Sequence, residues 1–234
     1  SQASTYYPIK KDQLFFGFLT QITWGEIVKA DLGLFIQAPD PVVIIIAGSI
    51  KVSLADKLEN LLSLNVQFLG SIDFSKGLSF DAALVDSHIV GITFHGSMAF
   101  RLYWAGETKG FLFSVGGFHP QYKPEADFNV SNMNRLGMKL NYSILKLSLE
   151  SYFAITSNTV QFGAKITLQI GWSKFGIYGY LYFNALFQFK PFMFMFDVGA
   201  GLAVKLGKLT LFSISVNFAL SGPAPWNAKG KASF

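Results

Sequence analysis

Apolar residues recur at every second position along most of this 234-residue chain, and that period leaves few folds open. From Phe162 onward, Phe162, Ala164, Ile166, Leu168, Ile170 and Trp172 alternate with Gly163, Lys165, Thr167, Gln169 and Gly171. Successive side chains of an extended strand point to opposite faces, so such a run makes a strand that is oily on one side and wet on the other. The same holds for Ile92, Phe94, Met98, Phe100, Leu102 and Trp104 against Thr93, His95, Ser97, Arg101 and Tyr103, and for Leu136, Met138, Leu140 and Tyr142 against Lys139, Asn141 and Ser143.

Three heavier segments follow, Phe175 to Lys190, Phe192 to Leu206 and Leu209 to Leu220, divided by Pro191 and by Gly207-Lys208. Proline cannot donate to a ladder and glycine accepts positive φ, so both mark turns between antiparallel strands, and the last third reads as a meander. Earlier strands are Phe15–Thr23, Val28–Gln37, Val42–Val52, Leu62–Ile72, Leu78–Val85 and Phe111–Gly116. Between two of them, Leu54, Lys57, Leu58 and Leu61 have helical spacing behind Ser53 as cap, which predicts one short helix over Ser53–Leu61. Asn132-Met133-Asn134 is expected to carry a helical turn.

The fold class is therefore all-β: a single large antiparallel meander of about 11 to 13 strands, curled into a barrel-like or folded-over sheet with an apolar interior. A second way to hide the oily faces is to give them to lipid, as a transmembrane barrel does. Phenylalanine fills the middle of strands, as at Phe183, Phe187, Phe194 and Phe196, rather than forming girdles at their ends, which favours the first arrangement. The terminal Phe234 resembles the last residue of bacterial barrels, but Lys229, Gly230 and Lys231 spoil the alternation before it.

Composition narrows the partners. Charged residues are 14% of the chain, against about 25% in soluble domains, while Phe (25) and Gly (22) abound, so the chain either covers its apolar surface well or shows it to something. The net charge of +5 is spread over Lys10-Lys11, Lys51, Lys139, Lys174, Lys205 and Lys229, with no tract of the kind nucleic acid needs. The absence of cysteine removes disulfides and thiolate metal sites. There is no transmembrane helix and no signal peptide, so localisation stays open between the cytoplasm and secretion by a non-classical machine. Residues 1–234 form one β-rich domain, with 1–12 a flexible N-terminal edge, and the Ser1-Gln2-Ala3 start reads as a boundary inside a longer protein.

The stretch Gly116-Gly117-Phe118-His119-Pro120 reads as a corner, because Pro120 disfavours helix at His119 and two glycines suit a bend leaving the sheet. His88 and His95 are seven apart, an odd interval that puts them on opposite faces of one strand unless a turn at Gly91 intervenes. Asp73, Asp81 and Asp86 are isolated among apolar residues and mark strand ends or solvated faces. Gly199-Ala200-Gly201 lies within a strand, where glycine relieves crowding, and is no phosphate loop. Trp226, after Ser221-Gly222-Pro223-Ala224-Pro225, is expected to cover the open end of the core. No catalytic, cofactor-binding or metal-binding residue is assigned; an enzyme would need three of His88, His95, His119, Asp73, Asp81 and Asp86 to converge in one cleft.

Several of these pieces in order resemble one family. Asp86-Ser87-His88, Gly96-Ser97-Met98-Ala99-Phe100-Arg101-Leu102, Ser114 to Pro120, Ala154 to Gly163, Phe189-Lys190-Pro191-Phe192 and Leu220 to Trp226 look like the domain-of-unknown-function 6603 family, over roughly residues 30 to 234. The resemblance implies a large, mostly bacterial multidomain parent, no transferable catalytic residues, and an association with contractile injection systems or similar secreted machines. The expected function is a non-enzymatic β-rich structural or binding module. Its partners are the other domains of the parent protein and an apolar, lipid-like ligand or a membrane; no cofactor and no nucleic acid are expected. The alternative is a membrane-inserting or pore-forming part of a secreted effector, carried as injection-system cargo.

Overall fold

A computed structural model describes residues 13–54, 61–130, 132–172 and 174–234. Its strands are β1 (Leu14–Trp24), β2 (Val28–Ala38), β3 (Val43–Ser53), β4 (Leu62–Asp73), β5 (Gly77–Ile89), β6 (Ile92–Tyr103) and β7 (Gly110–Val115), then β8 (Leu136–Tyr142), β9 (Leu145–Thr156), β10 (Thr159–Trp172), β11 (Phe175–Gln188), β12 (Met193–Leu206), β13 (Leu209–Gly222) and β14 (Asn227–Ser233). All belong to one antiparallel sheet of 14 strands in which strands consecutive in sequence pair side by side, β7 and β8 excepted. β1 and β14 remain its two edges, so the sheet is folded over and not closed into a barrel.

One lane of the meander is shared. β6 pairs with β7 through Met98–Tyr103 and with β8 through Ile92–His95, and β9 pairs with the same two strands from the other side. β7 and β8 thus lie end to end between β6 and β9, and the chain between them is free to leave the sheet. It does so with a single 3-10 turn, Ala126–Phe128.

Most strands match the alternation read from the sequence, with two additions. β9 follows the alternation too, broken only at Ser151 among Leu145, Leu147, Leu149, Phe153 and Ile155, and β14 carries no large apolar side chain and is a strand through its pairing with Ser215–Ser221. No helical turn forms at Asn132–Asn134. There the chain runs beside β6, the Asn134 N–H donating to Ser97 Oγ at 2.8 Å and the Ser97 N–H to Asn134 O at 3.2 Å. The expected helix over Ser53–Leu61 falls on residues 55–60, and the expected N-terminal edge on 1–12, both outside the described residues; Ser53 itself ends β3.

The register sorts the side chains into two unlike faces. One is apolar from β1 to β14: no charged residue occupies a paired position on it, and every phenylalanine of β3 to β14 stands there. The other carries the lysines, carboxylates, histidines and most tyrosines. The buried cluster Ala99, Tyr103, Leu112 and Phe128 lies on this second, polar-bearing face, beneath the β7–β8 connection, with Phe118, Val130 and Met133 packed against it. Phe128 stacks on Tyr103 with ring centroids 5.4 Å apart.

Candidate functional site

Two places in the fold invite function: the corner after β7 and the apolar face. At the corner, Gly116 (φ 75°) and Gly117 (φ 84°) turn the chain out of its lane. A Cβ on Gly116 would collide with the Ser151 carbonyl oxygen, so glycine is required for two reasons at once. The Ser114 hydroxyl donates to Gly117 O at 2.8 Å and fixes the bend. His119 lands beneath it, 2% exposed. Its backbone N–H donates to Oε1 of the fully buried Gln161 at 2.9 Å, and its Nδ1 accepts from the Gln121 N–H at 3.2 Å.

A ring whose Nδ1 accepts carries its proton on Nε2. That atom is buried without a hydrogen-bond partner, 3.8 Å from Asp197 Oδ1. Burial holds the His119 pKa below its ordinary value; Asp197 opposes the shift and Arg135 adds to it. Asp197 Oδ2 accepts from Asn184 at 2.9 Å, and Asn184 Oδ1 accepts from the Tyr152 hydroxyl at 3.1 Å. Burial raises the Tyr152 pKa even though the Arg135 guanidinium sits 4.1 Å over its ring. The arrangement fastens the connection to β9, β10 and β12.

The other residues weighed from the sequence are dispersed. Asp81 pairs with Arg101 at 2.9 Å. Asp73 accepts from the Ser75 N–H and hydroxyl, capping the β4–β5 turn. Asp86 (φ 48°) sits in the bulge of β5. A turn at Val90-Gly91 does intervene between the two histidines, placing them on adjacent strands and on the same face; His88 lies opposite Ser63 and Thr93, and His95 lies 4.0 Å from Glu150. The described grooves are each lined by at most one of these six residues. Among the described residues no group of three or more His, Asp or Glu could hold a metal ion.

Gly199 and Gly201 are where another group packs close: the rings of Tyr182 and Tyr180 on β11 lie on them. Trp226 packs edge-on against Phe194 at 5.2 Å and over Gly222, yet stays 65% exposed, so it does not close the core as the sequence led us to expect.

The apolar face is the larger feature. Along β10 to β13 Phe162, Ile166, Leu181, Leu202, Phe212, Val216 and Phe218 are 38 to 53% exposed, and among the described residues no second layer covers them. The accessible surface is 15075 Å², against roughly 10,500 Å² for a compact monomer of 25.8 kDa. All four tryptophans stand at strand ends, Trp24 and Trp172 on one rim of the sheet and Trp104 and Trp226 on the other. Each is at least 45% exposed. Which rim a strand end occupies depends on the number of strands between, and the strands assigned from the sequence did not include Leu145–Thr156. Among the described residues no helix is long and apolar enough to cross a membrane, which says nothing of crossing by strands.

A family model described as a family of unknown function (DUF6603) matches residues 1–234, the whole chain, so the chain belongs to that family. No curated protein and no solved structure matches it.

Proposed function

We propose that this DUF6603 member is a non-enzymatic β-rich binding module whose apolar face takes a lipid-like partner. The observation that carries the reading is the uncovered face itself: 14 strands with no charge in any paired position. An exposed apolar patch on a monomer rarely exceeds a few hundred Å², and larger ones mark protein or membrane contacts. Each half-exposed phenylalanine keeps about 80 Å² of ring surface in water, worth about 2 kcal/mol when a partner covers it. Native mass spectrometry of the purified protein tests this, followed by lipid extraction. Copurifying acyl lipid is the expected result; lipid-free protein that stays monodisperse without detergent would refute it.

The tryptophans favour a second reading. Indole rings gather where hydrocarbon meets water, and here they bracket the apolar band from both rims. A membrane-inserting part of a secreted effector would present such a band to the bilayer core. Dye leakage from phosphatidylcholine liposomes separates the two: a carrier of single lipids leaves the vesicles sealed, and an inserting sheet empties them.

A further inference from the structure

The polar-bearing face holds a groove of about 720 Å³ over β8 to β13, within the range of small-molecule and oligomer sites. Four lysines far apart in sequence stand along its walls, Lys139 on β8, Lys146 on β9, Lys165 on β10 and Lys205 on β12. None of them is ion-paired among the described residues, and no carboxylate lines the groove. Glu150, outside the groove lining, lies opposite Lys165 in the register and 4.0 Å from His95. Cations that hold no ion pair and line one concave surface are arranged for an anion.

The floor states what kind of anion. Tyr178, Tyr180 and Tyr182 line it from alternate positions of β11. Tyr180 lies on Gly201 and Tyr182 on Gly199, and the two rings are nearly parallel, with centroids 6.2 Å apart and planes at 16°. A Cβ on either glycine would displace the ring, so the glycines let these rings lie close over β12 while they line the groove. Lys205 sits 5.2 Å over the Tyr178 ring. Hydroxyls and an amide, from Ser148, Thr167, Gln169 and Ser213, fill the space between.

We propose that this groove binds an acidic oligosaccharide, its pyranose C–H faces on the tyrosine rings, its hydroxyls on the serine, threonine and glutamine groups, and its carboxylates or sulfates on the four lysines. The cations are compact point charges and no arginine fork is present, which suits single anionic substituents on a sugar better than the paired oxygens and stacked bases of a nucleic acid strand. The groove is on the face opposite the apolar one, so the head group of a lipid held there does not reach it, and this site stands or falls separately from the lipid reading.

The test is titration calorimetry of the full chain, in detergent micelles if it needs them, in 20 mM salt. The probes are an α-1,4-galacturonate hexamer, its neutral methyl ester, a heparin-derived hexasaccharide and a ten-residue oligothymidylate. We expect one of the two acidic sugars to bind at least tenfold more tightly than both the ester and the oligothymidylate, and its affinity to fall with added salt. Lys139→Gln with Lys165→Gln, both exposed side chains, should weaken that binding at least tenfold while leaving the circular dichroism and the copurifying lipid unchanged. The proposal is overturned if neither acidic sugar binds, if the oligothymidylate binds as tightly, or if the double variant keeps the wild-type affinity.

Discussion

Arg101 and Asp81 form an ion pair whose two members should matter very unequally. Arg101 is 4% exposed, and its guanidinium donates to Phe128 O at 2.9 Å, Phe100 O at 2.8 Å, Phe80 O and Asn129 O at 3.3 Å, and Asp81 Oδ2 at 2.9 Å. Asp81 is 46% exposed and can turn to water. Arg101→Met keeps the volume but strips the carbonyls of Phe128 and Asn129, which belong to no strand ladder, of this donor. At about 1–3 kcal/mol for each buried acceptor left unmade, less the gain from an apolar side chain, the loss is about 3 kcal/mol. Asp81→Asn leaves every carbonyl contact in place and removes only a half-solvated charge pair, at under about 1 kcal/mol. Urea unfolding followed by tryptophan fluorescence reads both variants, and amide exchange at Phe128 to Val130 reports whether the β7–β8 connection has come loose. If Asp81→Asn costs as much as Arg101→Met, the carboxylate and not the backbone carbonyls is what the guanidinium serves, and the account of how the connection is anchored is wrong.

Acid should act through His119. Its folded pKa lies below the ordinary value of 6.5, so as the pH falls through that range the unfolded chain takes the proton first, and stability, complete above it, declines by at most about 1.4 kcal/mol per pH unit. Asp197 on β12 faces the ring and Arg135 adds to the shift, with Lys229 of β14 lining the same groove; His119→Gln should flatten the profile of melting temperature between pH 7 and 5, and an unchanged slope would place the titration elsewhere. Gly116→Ala, with a backbone oxygen in the way, is expected to cost more than 3 kcal/mol, whereas Gly25→Ala, also at positive φ but in open space, should cost about 1 kcal/mol; equal midpoints in urea would refute the steric argument. Trp172→Ala, at a 55% exposed rim position, should leave the circular dichroism intact and lower the fraction that floats with liposomes; unchanged flotation would remove the tryptophans from the membrane reading.

Alternation is a local property, and it made most of this fold legible: the runs around Phe100, Phe162 and Phe194 each announce a strand with a single oily side, and pairing does no more than align those sides. What remained illegible depends on pairing itself. β14 is a strand because β13 offers it an edge, and Asn227-Ala228-Lys229 contains nothing that asks for one. The Gly-Gly-Phe-His-Pro corner was readable from its glycines and proline, but not that the excursion would bury His119 against Gln161, 42 positions onward. The groove lysines look scattered along the chain because consecutive strands run in opposite directions; the register sets them on four successive rows, Lys165 on its own, Lys139 on that of Thr167, Lys146 on that of Gln169 and Lys205 on that of Gly171.

The two unpaired margins have a consequence for size. A barrel's circumference is set by closure, but among the described residues the strands at these margins pair with lateral neighbours only, and nothing in the ladder says how wide the sheet must be. Hairpins can be duplicated or deleted at β1 or β14 without disturbing the interior ones, in the manner of a solenoid gaining or losing repeats. The same linear arrangement lets the molecule unzip from its flanks, so that protection against solvent exchange grades from the outermost strands toward the middle rather than vanishing all at once.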